Sequence, residues 1–310
     1  MLLKKYTLDI IIVNWNSGNL LLECINSIKN AYNDLFILSK LIIVDNNSQD
    51  SSLSGIEDLD LQLAVIRNKA NLGFSKACNQ GAKNSEADFI LFLNPDTKLF
   101  SNSLFEPILF LSKEENKDVG IVGVQLKDEF GNISRNCARF PTPYSMIYAS
   151  LGLDKIFPKI FPPHFMVEWD HKQSRYVDQV MGSFFLIRRE LFNKLQGYDE
   201  RFFVYYEDLD LSYRASKLGY KSYYLASAQI YHKGGGTSEN VKADRLAYVL
   251  HSKLLYSKKH FNILSYFFVL IITILIEPFV RIFYLLLKGK IEDVWQAIFG
   301  YKKLIVKLLS

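Results

Sequence analysis

The chain has 310 residues, of which 49% are hydrophobic and 22% are charged, a composition that fits a globular protein with a sizeable core. Its net charge of +5 is uneven, because residues 251–310 hold nine Lys and Arg against three acidic residues. The body is therefore near neutral, which argues against general binding to nucleic acid. Cys24, Cys78 and Cys137 form no CxxC pair, so a zinc site or disulfide framework is not expected. The first seven residues lack the apolar length of a secretion signal, and we expect the body in the cytosol.

Short apolar runs alternate with helix-like stretches over the first 125 residues. We predict strands at 8–13, 41–44, 63–66, 89–93 and 119–124, and helices around 19–30, 50–57, 74–84 and 102–115. Near-continuous apolar strands separated by helices indicate an α/β protein with a mostly parallel central sheet that is covered on both faces.

Polar residues follow the first four predicted strands where each one ends. They are Asn14 and Asn16, then Asp45, then Asn68, then Asn94 and Asp96. Turns favour Asn and Asp on their own account, but a series over four strands indicates a binding crevice at the carboxyl edge of the sheet. Asp96 is well placed there to hold a divalent metal against a diphosphate. The alternative for this residue is an Asx-type turn.

The chain has neither a GxGxxG nor a GxxxxGK[ST] motif, so any nucleotide must be held differently. Asp45 can accept a hydrogen bond from a base N–H. Asn68, Asn71 and Asn79 supply neutral hydrogen-bonding groups, and Gly73 permits a close approach of the backbone to a ligand. Loop chemistry and helix capping are the alternative for these asparagines.

Regular structure is predicted to loosen over residues 125–177, with a hairpin turn at 128–132, and to return afterwards. We predict a strand at 180–187, helices at 189–195 and 207–218, and strands at 221–225 and 229–232. Glu207 and Asp208 are adjacent acids, and mutual repulsion and partial desolvation would raise their pKa values and favour a general base. An acidic first turn that stabilises the helix dipole is the alternative. His232 with Asp96 would make a mixed O/N site for Mn²⁺ or Mg²⁺.

At this point the sequence resembles the family-two glycosyltransferases, in particular their bacterial rhamnosyltransferase-like branch. The matching segments are residues 11–17 (IIVNWNS), 44–50 (VDNNSQD), 71–81 (NLGFSKACNQG), 93–96 (LNPD), 181–189 (MGSFFLIRR), 197–211 (GYDERFFVYYEDLDL) and 231–235 (YHKGG). They occur in the family's order across about residues 8–236.

The resemblance implies a GT-A type nucleotide-sugar-binding fold and an inverting transfer from a nucleotide-diphosphate sugar, with dTDP-rhamnose as the favoured donor. Asp45 would meet the nucleobase, and Asp208 matches the catalytic base. Asp96 takes the last position of the family's DxD metal motif, and His232 matches a residue that completes the metal site. Asn94, not Asp, stands at the first DxD position, which leaves Asp96 as the main protein anchor for the metal.

The tail is predicted to be helical and to associate with a membrane. Residues 238–260 have helical spacing with Ser238 as a candidate cap, and residues 263–276 are uncharged up to an expected break at Glu277-Pro278. Fourteen residues are short for a span, and lysines on both sides argue against crossing. The last helix is amphipathic and basic, which suits an anionic membrane surface. The alternative is a helical pair that packs on the body or on a second subunit, so a homo-oligomer stays open.

We therefore predict a catalytic domain at 1–236 and a membrane-associated helical segment at 237–310. The predicted protein is a peripheral or monotopic enzyme on the cytoplasmic face of the plasma membrane, which transfers sugar to a lipid-linked saccharide in polysaccharide or O-antigen synthesis. A non-catalytic nucleotide-sugar-binding adaptor and a sugar nucleotidyltransferase are the competing functions. The second would require a Gly-rich, basic loop after the first strand, and residues 14–19 contain neither Arg nor Lys.

Overall fold

The computed structural model of the protein describes residues 5–56, 62–234 and 241–309. The strands are β1 (Thr7–Asn14), β2 (Ile37–Asp45), β3 (Leu63–Arg67), β4 (Phe89–Leu93), β5 (Thr97–Leu99), β6 (Val119–Lys127), β7 (Ile133–Ser134), β8 (Cys137–Ala138), β9 (Arg175–Val177), β10 (Gln179–Val180), β11 (Phe184–Arg188) and β12 (Lys221–His232). The helices are α1 (Leu20–Ala31), α2 (Phe74–Ala82), α3 (Phe105–Ser112), α4 (Pro143–Ser150), α5 (Leu153–Ile156), α6 (Arg189–Lys194), α7 (Glu207–Lys217), α8 (Lys242–His260), α9 (Ile263–Ile271), α10 (Glu277–Leu287) and α11 (Ile291–Leu309).

The main sheet has the spatial order β3-β2-β1-β4-β11-β6-β12-β5. Strands β1 to β4 are mutually parallel, β11 runs antiparallel to both of its neighbours, and β12 is parallel to β6. Six strands therefore end at the same edge, and the amino end of β11 lies there too. The predicted mostly parallel sheet is confirmed.

Alternating side chains of β1 face two cores on opposite sides of the sheet. Ile10 and Ile12 pack with α1 and α3, whereas Ile11 and Val13 pack with α2, α6 and α7. Burying each such side chain contributes roughly 1.5–3 kcal/mol. Helices on both faces explain why these strands are continuously apolar in sequence.

Three local predictions are wrong. The helix expected at 50–57 is a series of turns over its described residues 50–56, because Asp50 Oδ1 accepts the backbone N–H of Ser52 and competes with helical bonding. The strand expected at 180–187 is two strands, since β10 pairs with β8 in a separate sheet and β11 joins the main one. The two strands expected at 221–225 and 229–232 are one strand with a register shift between Leu225 and Gln229.

The loosely patterned stretch 125–177 holds only short elements. The hairpin turn predicted at 128–132 is confirmed, with the Asp128 backbone N–H bonded to the Asn132 carbonyl between β6 and β7. Helix α4 begins with a capping box, in which Thr142 Oγ1 accepts from the Ser145 backbone N–H and Ser145 Oγ from the Thr142 N–H. The β8–β10 pair connects this region to the chain just before β11.

The tail helices pack on the body on one side and are exposed on the other. Leu250, Leu254 and Tyr256 of α8 share a buried cluster with Phe202 and Leu209 of the body. The helix predicted from 238 is described from Lys242, and its candidate cap Ser238 and the predicted domain boundary at 236–237 lie outside the described residues. Packing on the body and an apolar outer face thus occur together in the same segment.

The break expected at Glu277-Pro278 is wrong. Residues Ile263–Leu287 form one continuous helix of 25 residues with a mean hydropathy of 2.4, long and apolar enough to cross a bilayer by length and composition alone. A π-helical turn at Ile272–Ile276 lies where the ring of Pro278 would otherwise clash with the carbonyl four residues earlier, so the helix continues past the proline.

A buried charge network holds this long helix against the body. Lys253 Nζ donates to Glu277 Oε2 at 2.7 Å and to Ser150 Oγ at 2.6 Å, which joins α8, α10 and α4. Arg281 donates to Glu277 Oε1 at 3.1 Å from the next turn. Because removing one partner of a buried pair leaves an uncompensated charge, this network fixes the position of the helix.

Candidate active site

A buried hydrogen-bonded cluster joins the carboxyl ends of β1 and β2. Asn14 and Asp45 are register partners, and Asn14 Nδ2 donates to Asp45 Oδ1 at 2.7 Å. Ser48 donates to the same carboxylate from Oγ to Oδ1 at 2.6 Å and from its backbone N to Oδ2 at 3.1 Å. A carboxylate oxygen has two lone pairs, so Asp45 Oδ2 keeps capacity for one further N–H. This is the capacity that a nucleobase contact requires.

A second cluster of amides forms the adjacent rim. Asn68 Nδ2 donates to Asn46 Oδ1 and to Gln80 Oε1, both at 2.9 Å. Asn46 Nδ2 donates to the Gly73 carbonyl at 3.1 Å, and Asn71 Oδ1 accepts the Gly73 N–H at 3.0 Å. The predicted residues Asn68, Asn71 and Gly73 therefore lie together, held by two amides that the sequence did not single out.

Gly73 is required by the chain itself. Its φ is +87°, and a Cβ at this position would lie 2.5 Å from the carbonyl oxygen of Phe203. The same oxygen accepts the Phe74 N–H at 2.6 Å at the start of α2. The close backbone approach predicted at Gly73 is thus made by Phe203, and contact with a ligand stays a prediction.

Two of the predicted asparagines make bonds that stabilise loops. Asn16 is exposed at a φ of +51°, and its Oδ1 accepts the Gln49 backbone N–H at 2.7 Å. Asn79 is bonded to the backbone of Tyr198 from both ends of its amide, donating to the carbonyl and accepting the N–H, each at 2.9 Å. Asn16 stands at the edge of the crevice, whereas Asn79 joins α2 to the turn before α7. Their roles in nucleotide binding stay predictions.

Asp96 and His232 meet where β5 pairs with β12. His232 is the register partner of Thr97, and its Nε2 lies 3.4 Å from Asp96 Oδ1. Both side chains are largely buried. Asn94 precedes them, and its carbonyl accepts Thr97 Oγ1 at 2.7 Å.

These two side chains form an O/N donor pair that suits Mn²⁺ or Mg²⁺. Within the described part of the chain no group of three or more His, Cys, Asp or Glu could hold a metal. Two protein ligands fit an ion whose remaining ligands are diphosphate oxygens and water, which is the usual arrangement for Mg²⁺ at phosphates. The donor set therefore fits a substrate-bridged metal rather than a closed protein cage.

Asp208 is held at the same edge through β11. Its Oδ2 accepts the Gly182 N–H at 2.9 Å, and its Oδ1 accepts the Leu209 N–H at 2.8 Å. The next residue, Ser183, accepts the Asn94 backbone N–H at 3.1 Å. One short path of backbone bonds thus connects the Asp208 carboxylate to the strand end that carries Asp96.

Burial raises the pKa of the Asp208 carboxyl, while the N–H groups of Leu209 and Gly182 act in the opposite direction. A carboxylate of raised pKa is a stronger base, and Asp208 is partly exposed at the crevice. The residues just before it, Tyr205 and Tyr206, have φ values of +67° and +68°. A positive φ strains the backbone of residues with large side chains, and such backbone strain is typical of functional sites.

Glu207 is directed away from Asp208, into the core. Burial and then the charge of Asp208 raise its pKa well above the usual range. Its charge in turn adds to the effect of burial in raising the pKa of the Cys78 thiol and the Tyr198 phenol. Glu207 Oε2 is buried without a hydrogen-bond partner among the described residues. This placement favours Asp208 as the base, and a catalytic role for Glu207 stays a prediction.

The tail holds the helix that carries both acids. Asp210 of α7 is completely buried and accepts bonds from Arg214 Nε, Lys259 Nζ and His260 Nε2, each at 2.7 Å. Burial acts to raise the pKa of Asp210, but the His260 hydrogen bond and the Arg214 charge outweigh it and lower that pKa. Since Lys259 and His260 end α8, the first tail helix helps to fix α7 in place.

Sequence reasoning missed the residues that support the site. Ser48, Asn46 and Gln80 position the crevice side chains, and the Gly182 N–H orients Asp208. Ser48 follows Asp45 at the spacing of an Asx-type turn, which could have indicated it. Nothing in the sequence pattern identifies Gly182, because its role depends on the break between β10 and β11.

Comparison with known proteins identifies the family of the chain. The family model described as Glycosyl transferase family 2 matches residues 9–196 of this chain. The N-acetylglucosaminyl-diphospho-decaprenol L-rhamnosyltransferase of Mycobacterium tuberculosis is 26% identical over 223 residues, which are 67% of this chain and 70% of that protein. Rhamnosyltransferase WbbL of Escherichia coli K12 is 31% identical over 155 residues, or 48% of this chain and 53% of WbbL.

A solved structure shares the fold across nearly the whole chain. The mannosyltransferase PcManGT of Pyrobaculum calidifontis, in complex with GDP-Man and Mn²⁺, superposes with a TM-score of 0.59 at 14% identity, covering 99% of this chain and 88% of that one. At this identity the likeness establishes the fold, and the family match covers more than half of the chain. The protein is therefore a member of glycosyl transferase family 2, a rhamnosyltransferase-like glycosyltransferase with a GT-A type fold.

Proposed function

We propose that this glycosyltransferase inverts the anomeric centre of a nucleotide-diphosphate sugar, with dTDP-rhamnose favoured, and transfers the sugar to a lipid-linked saccharide. The path Asp208–Gly182–Ser183–Asn94 is the observation that carries the proposal, because it brings a basic carboxylate to the strand end of Asp96 and His232. Relatives named as rhamnosyltransferases support the sugar, and the diphospho-decaprenol in one of those names supports the acceptor.

In the proposed reaction, Asp208 takes the proton of the acceptor hydroxyl while that oxygen bonds to the anomeric carbon. The bond between that carbon and the diphosphate oxygen breaks on the opposite face, and the nucleoside diphosphate leaves with the electron pair. A divalent ion held by Asp96 and His232 would neutralise the charge that develops on the diphosphate. Asp45 and Asn68 hold and orient the nucleotide at the crevice.

We propose that the outer face of the tail lies on the cytoplasmic leaflet of the membrane. Large apolar side chains are exposed along Ile263–Leu287, with Phe279 73% and Leu264 70% exposed. A second exposed group at Ile156, Phe157 and Ile160 is joined to this helix, since Lys155 Nζ lies 4.3 Å from the Tyr284 ring. Burying such apolar area in lipid is favourable, and basic flanks add attraction to anionic lipid.

Donor hydrolysis and transfer by the full chain should be measured across a panel of nucleotide-sugars, with and without Mn²⁺ or Mg²⁺. We expect metal-dependent turnover of one donor. Tight binding of a donor without turnover, even when a lipid-linked acceptor is supplied, would support the non-catalytic adaptor instead. Formation of a nucleotide-sugar from a sugar phosphate and a nucleoside triphosphate, with release of diphosphate, would support the nucleotidyltransferase.

Membrane attachment is tested by sedimentation with vesicles that contain anionic lipid. The variant Phe279→Asp/Phe283→Asp changes two exposed side chains and should lose most of the bound fraction. Phe130→Asp changes a still more exposed Phe in the β6–β7 hairpin, outside the tail, and should bind like the wild type. Equal binding of all three proteins would contradict the proposed surface.

A further inference from the structure

A basic groove lies between the start of α8 and the last turns of α11, outside the crevice described above. It has a volume of about 690 Å³, and the residues that line it include Val241, Asp244, Phe299, Lys302, Lys303, Val306 and Lys307. None of these residues takes part in the proposed chemistry. We define them as the α8–α11 groove.

The α8–α11 groove carries a net positive charge. Three lysines line it against a single acid, Asp244, which accepts Lys303 Nζ at 2.5 Å. Lys302 is exposed and makes no ion pair among the described residues. Burial lowers the pKa of Lys307, as expected for an ammonium that is partly removed from water. A doubly charged anion would complement this set.

The same groove has an apolar side. Phe299 and Val306 are 50% and 61% exposed, and Trp295 lies one turn before Phe299 on α11 with 59% of its side chain exposed. Lysines beside large exposed apolar side chains suit an amphiphile with a phosphate group next to a hydrocarbon chain. A simple sugar or free nucleotide would leave the apolar side unused.

One layer of side chains separates the α8–α11 groove from the crevice. Lys307 Nζ lies 4.6 Å from the ring centroid of Tyr248, which stacks on Phe203 at 4.7 Å. The Phe203 carbonyl is the group that contacts Gly73 and Phe74 at the nucleotide rim. The groove is therefore connected to the nucleotide rim through Lys307, Tyr248 and Phe203.

We propose that the α8–α11 groove binds the diphosphate and the first isoprenoid units of the lipid-linked acceptor. The lysines of α11 would contact the diphosphate oxygens, and Phe299 and Val306 would cover the hydrocarbon. This inference rests on the proposed function, because it assigns a site to the acceptor of that reaction. The competing occupant with the same chemistry is the phosphate head group of an ordinary membrane phospholipid.

The test uses the full chain in neutral detergent, with farnesyl diphosphate as the probe and its Kd as the readout. Lys302→Gln and Lys302→Gln/Lys303→Gln remove one or two groove charges, and Lys290→Gln removes one charge from the turn before α11. Unchanged Tm values establish that each variant is folded. Because a charged hydrogen bond contributes about tenfold in affinity, we expect the double variant to bind at least about tenfold more weakly, and Lys290→Gln to bind like the wild type.

Two competitors separate the sources of the phosphate chemistry. Inorganic diphosphate should compete weakly, because it cannot use the apolar side, and phosphatidylglycerol should not displace the probe at equal concentration. Displacement by phosphatidylglycerol, equal weakening in Lys290→Gln, or unchanged binding in the double variant would each overturn the proposal. Binding is measured without donor or turnover, so a failure here is distinct from a failure of the proposed transfer reaction.

Discussion

Replacing Asp208 by Asn is the most direct perturbation of the proposed chemistry. The amide has nearly the same shape as the carboxyl, and its oxygen can still accept the Gly182 N–H. Its NH₂ group cannot accept the Leu209 N–H, so one local bond is lost, at about 1 kcal/mol of stability. Burial disfavours the charged form of Asp208, so replacing this carboxylate by a neutral amide offsets part of that cost. We therefore expect the variant to fold.

The expected effect is on kcat. A positioned general base contributes about 10²–10⁴ in rate, so kcat should fall by about 10³, or about 4 kcal/mol in the barrier. The donor KM should change little, because the nucleotide side chains around Asp45 and Asn68 are untouched. The wild-type rate should rise with pH as Asp208 loses its proton, at a pH above the ordinary range for Asp, and Asp208→Asn should lack this dependence.

The assay is steady-state transfer to a lipid-linked acceptor, with donor binding measured separately. Glu207→Gln is the matched control, since it removes the neighbouring carboxyl that faces the core. An equal drop in both variants would mean that the two acids act as a unit. Wild-type turnover in Asp208→Asn, or a loss confined to donor KM, would refute the assignment of Asp208 as the base.

The other predictions concern stability and the metal. The pKa of Glu207 is higher in the folded protein than in the unfolded chain. Its contribution to the free energy of unfolding is therefore fully present below the unfolded-state pKa of about 4.3, and it is lost as the pH rises through the folded-state pKa. Glu207→Gln should therefore have the wild-type Tm near pH 4 and a progressively higher Tm at neutral pH, whereas a pH-independent difference would contradict this reasoning. Gly73→Ala should lower the free energy of unfolding by about 2–4 kcal/mol, because the added Cβ would clash with the Phe203 carbonyl. Gly131→Ala is the control and should cost at most about 2 kcal/mol, since Gly131 has a similar φ but no atom within 4 Å of the added Cβ. Denaturant titration measures both losses, and equal losses would show that the Phe203 contact does not matter. Asp96→Ala should raise the metal concentration for half-maximal donor binding at least about tenfold, and an unchanged metal titration would remove Asp96 from the metal site.

Much of the fold could be predicted because local patterns and tertiary packing agree. The apolar runs of β1, β2, β3, β4 and β6 are continuous because helices cover both faces of the sheet, and polar residues follow them because the carboxyl ends are solvated. The failures occur where short polar segments or proline dominate. Turns that involve serines and Asp50 replace the predicted helix over residues 50–56, and a π-helical turn lets the tail helix continue past Pro278.

The sequence by itself determined that Asn14, Asp45, Asn68 and Asp96 would share one edge, since parallel strands of similar length must end together. Only the tertiary structure decided which of two adjacent acids is directed to that edge. Glu207 and Asp208 project about 100° apart on α7, and the packing of that helix against β10 and β12 buries the first and presents the second to the Gly182 N–H. The bonding of Asn79 to Tyr198, across 119 residues of chain, is likewise a property of packing that no local spacing encodes.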